Sequence, residues 1–112
     1  MAYDEVLAER LRDTLGDAVA VSEKKMFGGL CFLEHGNMIA GVMGDDLIVR
    51  VGADNKAAAL TRHGVREFDF TGRPMKGFVV VDGEFLDDEA LASWLATARA
   101  FAGSLPPKRS RR

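Results

Sequence analysis

The chain has 112 residues, 47% hydrophobic and 29% charged, with 15 Lys and Arg against 17 Asp and Glu and a net charge of −2. That is the size and composition of one soluble globular domain with a two-layer core, not of a fibrous or disordered chain. No apolar run nears the roughly 20 residues that span a bilayer, and the acidic start Met1-Ala2-Tyr3-Asp4-Glu5 has no leader-like region, so the expectation is a cytoplasmic protein with no membrane contact.

The first predicted element is a helix from about Asp4 to Leu15, with Val6, Leu7, Leu11 and Leu15 at helical spacing. Asp4 is its expected N-cap and Gly16 its stop. Residues 17–23 link it to a sheet. From Lys24 onward the pattern turns to strands, with runs at Lys25–Leu33, Met38–Met43 and Leu47–Val51. The breaks between them, Glu34-His35-Gly36-Asn37 and Gly44-Asp45-Asp46, hold residues that tight turns require, which predicts a three-stranded antiparallel meander. Gly28-Gly29 interrupt the first run and point to a bulge, a bend or a close backbone approach. In the third run Leu47, Val49 and Val51 face one way, Ile48 and Arg50 the other. Met38–Met43 carries no charge on either face, as a strand does that is central or part of an interface.

A second helix is expected from about Asp54, as cap, to His63, with Ala53, Ala57 and Leu60 as a small inner face. Two strands follow. Val65–Phe70 alternates apolar and charged residues, and Gly77–Val81 is almost wholly apolar, as a central strand is. Thr71-Gly72-Arg73-Pro74-Met75-Lys76 reads as the loop between them. The last helix has Asp87 as cap, Leu86 and Leu91 as a hydrophobic staple, and a stripe of Leu91, Trp94, Leu95, Ala98 and Phe101. Gly103 and Pro106-Pro107 end it. Trp94 is expected in the core.

The domain is therefore placed at residues 1–107, with 108–112 as a basic, disordered tail. Lys108, Arg109, Arg111 and Arg112 leave 11 basic residues against 17 acidic ones in the body. Such a body offers no broad basic face to duplex DNA, and only the tail could touch phosphates, weakly and with strong salt dependence. The order of helix, three strands, helix, two strands and helix predicts an α+β two-layer sandwich with a mostly antiparallel five-stranded sheet.

With that order in place, five stretches carry a family resemblance: Lys25-Met26-Phe27-Gly28-Gly29, Gly36–Ala40, Asp46–Val51, Pro74–Val81 and the ending from Trp94 to Pro106. They resemble the N-terminal domain of the TfoX/Sxy proteins, regulators of natural competence in bacteria, over about residues 4 to 107. The resemblance implies a fold similar to that of secretion chaperones, with the second pair of strands beside the first strand of the meander. It implies no catalytic residue and no cofactor. The regulators that name the family carry a second, helical C-terminal domain that this sequence does not include, so the expectation is a stand-alone regulatory or protein-interaction domain.

The residues themselves agree. Neither His35 nor His63 has a partner at metal-ligand spacing, and Ser22, Ser93, Ser104 and Ser110 lie in no nucleophile-elbow context. The single cysteine, Cys31, allows no internal disulfide and reads as a small buried hydrophobe in an apolar run. Lys24-Lys25-Met26-Phe27-Gly28-Gly29 has the residue types of a phosphate cradle in the wrong order for a P-loop, whose glycines precede the lysine and whose helix follows it. A looser anion or nucleotide site would need Lys24, Lys25, Arg50, Arg73 and Lys76 to converge. The main expectation is protein contact, with Met26, Met38, Met43 and Met75 as adaptable apolar surface and a homodimer through sheet faces or edges. The candidate contact residues are thus Lys24, Lys25, Met26, Phe27, Gly28, Gly29, Arg50, Arg73, Met75 and Lys76.

Overall fold

The structure is a computed structural model that describes residues 3–16, 21–26, 28–70 and 72–106, with Phe70, Arg73 and Pro74 placed by their backbone alone. The link at 17–20, Phe27 and the basic tail, on which parts of the sequence reading fall, lie outside the described residues.

Helix α1 spans Glu5–Leu15 and begins where expected: the Asp4 carboxylate accepts from the backbone N–H groups of Val6 and Leu7. Strands β1 (Val21–Met26), β2 (Gly29–Glu34), β3 (Asn37–Met43) and β4 (Asp46–Arg50) then form an antiparallel meander. The sequence predicted three strands here and the described residues form four, because the chain reverses between Met26 and Gly29, with Gly28 in the turn and Gly29 opening β2, instead of running on as one interrupted strand. Met26 pairs with Gly29, and Gly28 takes φ 74° at the turn, where a side chain would be strained.

Helix α2 spans Ala53–Leu60 and has no side-chain cap. Asp54, the expected cap, sits in the first turn, and Gly52 occupies the cap position. The inner face also differs from expectation: Ala59 is buried and Leu60 half-buried, whereas Ala53 and Ala57 are exposed. Strands β5 (Val65–Phe70) and β6 (Arg73–Val81) form the second hairpin. The expected loop at 71–76 is largely strand. At Gly77 (φ 82°) the carbonyl accepts from both Val51 and Gly52 N–H, at 2.9 and 3.0 Å, and this fixes the start of α2 against β6. A single 3₁₀ turn, Gly83–Phe85, leads to helix α3, Asp88–Gly103, which the Asp87 carboxylate caps through the Ala90 N–H.

The result is a two-layer α+β sandwich in which the described residues form six strands in the order β1-β2-β3-β4-β6-β5. The second hairpin joins the meander at its last strand, β4, and not beside the first, which corrects the strand placement that the family resemblance implied. All three helices pack on one face. There Leu7 and Leu11 of α1, Ala59 of α2 and Leu91, Trp94 and Leu95 of α3 meet Phe32, Ile39, Leu47 and Val79 of the sheet. Phe101, expected in the α3 stripe, is only half-buried, and Ala102 takes the inward position. No helix of the described residues is long and apolar enough to cross a membrane.

Candidate interaction surface

Strand alternation gives the sheet a second apolar face. Cys31, Met38, Ile48, Phe68, Phe78 and Val80 form a buried cluster there, and every described member comes from a strand. Met26, Leu33, Met43 and Met75 pack around it, half-buried. With no described helix on that side, strand side chains cover one another. Register shifts between Phe32 and Leu33 and between Glu67 and Asp69 mark bulges, which bend strands and sharpen their twist. Phe68 and Phe78 meet ring to ring at 6.2 Å. The four methionines singled out from the sequence are thus gathered around one cluster. The uncharged strand β3 is central, buried on both faces up to Val42.

Strand β1 is one border of the sheet. Ser22, Glu23, Lys24 and Lys25 are exposed, and Met26 tucks against the second cluster. Arg12 of α1 grips Glu23 with two nitrogens, Nε and Nη2, at 2.7 and 2.9 Å. That bond holds the Glu23 carboxyl below its ordinary range and pushes the Arg12 guanidinium up. It also shows that Glu23 points to the helix side. Gly29 opens β2 in a tight spot, where an added Cβ would run into the Val42 carbonyl.

The remaining predicted contact residues lie elsewhere. Arg50 is held at the end of β4: its guanidinium stacks 5.5 Å from the Phe78 ring and 5.4 Å from Phe101, and donates to the Met38 carbonyl at 3.3 Å. Arg73 begins β6, Met75 is half-buried in the second cluster, and Lys76 is exposed. Three strands, β2, β3 and β4, stand between Lys24–Lys25 and Arg73–Lys76. Lys24 and Lys25 on β1 therefore stand apart from Arg73 and Lys76 on β6, while Arg50, on the neighbouring β4, faces the Phe78 and Phe101 rings.

Cys31 lies in the second cluster, its thiol pushed up to about 11 by burial, as an inert core cysteine is. Among the described residues no group of His, Cys, Asp and Glu is arranged to hold a metal. A cavity of about 360 Å³, which no sequence motif marks, lies between the start of α1 and the β3–β4 turn, bordered by Asp4, Arg10, Asp45, Asp46, Asp82 and Glu84. Long-range folding assembles it, so no local motif signals it. Two of its carboxylates have structural work: Asp4 caps α1, and Asp46 binds Arg66 at 2.7 Å and the Gly83 N–H at 3.1 Å.

Compared with known protein families, the chain matches the TfoX N-terminal domain over residues 13–102. No curated protein and no solved structure gives a match.

Proposed function

The chain belongs to the TfoX N-terminal domain family, which makes it a non-catalytic regulatory or protein-interaction domain, and from that premise we propose that it acts by self-association through the sheet. The observation that carries this reading is the grouping of Met26, Met38, Met43 and Met75 in and around one apolar cluster on the face that carries no described helix, next to the exposed strand β1. Methionine suits such a role because its unbranched, polarisable side chain repacks at little cost. A likeness to secretion chaperones belongs to the same proposal, supported by a small sheet backed by helices on one side. So do a domain extending to residue 107, a cytoplasmic location, and weak phosphate contact by Lys108, Arg109, Arg111 and Arg112 of the tail.

Light scattering over a rising concentration series tests the proposal. The expected outcome is a growing dimer fraction, with the Met26 methyl resonance shifting in step in methionine-labelled protein. A strict monomer at tens of micromolar would sink it.

A further inference from the structure

We infer that β1 is a self-pairing edge: two copies join β1 to β1 antiparallel about a two-fold axis at Lys24, with Glu23 of each copy opposite Lys25 of the other. This rests on the self-association reading above and names its surface and register.

A sheet border presents free N–H and C=O groups, and proteins disable such edges with bulges, prolines or covering elements. The other border, β5, is disabled in this way. It carries a bulge between Glu67 and Asp69, which breaks its register along β6. In contrast β1 pairs with β2 without a register shift over all six residues, contains no proline, and has four consecutive exposed residues.

Hairpin geometry says which groups are free. Only residues 27 and 28 separate Met26 from Gly29, so that closing pair is hydrogen-bonded, and so by alternation are Lys24–Cys31 and Ser22–Leu33. Val21, Glu23 and Lys25 then turn their backbone groups outward. A two-fold perpendicular to the sheet must match outward residues with outward residues on the same face. Every centre sets one residue against its own copy, and centring on Glu23 or on Lys25 sets like charges opposite each other with no Glu–Lys pair to offset them. Centring on Lys24 sets Glu23 against Lys25 twice, with both side chains on the helix side. There Lys25 of the second copy joins the existing Arg12–Glu23 pair. Ser22 meets Met26, and Lys24 meets its own copy on the opposite face. A six-residue edge is small by interface standards, so the dimer is weak and concentration-dependent.

Sedimentation of the full chain and of single variants tests this, with circular dichroism reporting the fold. Lys25→Glu alone and Glu23→Lys alone each weaken the homodimer about tenfold or more, while an equimolar mixture of the two restores association, because both cross-pairs become complementary. Lys24→Ser tightens the dimer a few-fold by removing the like-charge contact on the axis. Lys25→Pro removes an outward N–H that β2 does not use, and gives a folded monomer. Dimers that persist in Lys25→Glu and Lys25→Pro overturn this edge and leave self-association standing. A parent chain that never dimerises overturns both.

Discussion

Gly28 and Gly29 are neighbours with different tasks. Gly28 supplies a positive φ with open space around it, so Gly28→Ala should cost about 1 kcal/mol, the left-handed penalty of a single side chain. Gly29→Ala drives a Cβ into the Val42 carbonyl and should cost more than about 2 kcal/mol through broken β2–β3 pairing. Denaturant midpoints of the two variants check the order. Glu34 carries a pH prediction. Arg99 Nε and Nη2 donate to its carboxylate at 3.0 and 2.8 Å, tying α3 to β2 and holding Glu34 below its ordinary 4.5. A carboxylate depressed in the folded state contributes stability that is complete above the unfolded value and fades as the pH falls through the folded one. Glu34→Gln should therefore cost about 1 kcal/mol at neutral pH and flatten the loss of stability below pH 4.5, measured by denaturation at several pH values. The doublet Gly28-Gly29 was visible in the sequence as a break. Its meaning was not, because a bulge and a two-residue turn ask for the same residues and differ only in what pairs across them.

At the scale of elements, the terminal helices were legible and the middle one less so. Asp4 and Asp87 each precede an amphipathic stripe, and each caps its helix. Leu86 and Leu91 are both buried in the main core, as the staple requires. Helix α2 is short and rich in alanine, so its register depends on what it meets. Lys56 bonds Glu67 and the Met75 carbonyl, and the Gly77 carbonyl takes the Val51 and Gly52 N–H groups. Those partners come from β5 and β6, which no local pattern around Asp54 reveals. Asp87→Ala should accordingly lower stability by about 1 kcal/mol. Asp54→Ala, which removes only a first-turn charge, should cost a few tenths. Thermal unfolding of the two variants separates a true cap from an apparent one.

At the scale of the whole molecule, the strand order decides which ligand readings survive. A small-anion site needs Lys24, Lys25, Arg50, Arg73 and Lys76 together, and the sheet places the first two on its β1 border, away from β6. Millimolar phosphate or nucleotide at low salt should therefore leave the unfolding temperature unchanged, since a ligand that binds only the folded state must raise it. The sequence by itself determined the α+β class, the alternation of Leu47 and Val49 against Ile48 and Arg50 in β4, the family, and the methionine-rich character of the sheet. These follow from local periodicity, capping chemistry and composition, which are written along the chain. Only the tertiary structure decided that four described strands and not three precede α2, that β6 docks on β4, that Arg50 lies over the Phe78 and Phe101 rings, and that β1 borders the sheet among the described residues. Each of those depends on pairing between segments distant in sequence, where several partners offer similar hydrogen bonds and apolar area. Lys24, Lys25 and Met26 show the division: their residue types were plain from the start, and their place on a border strand came from the fold around them.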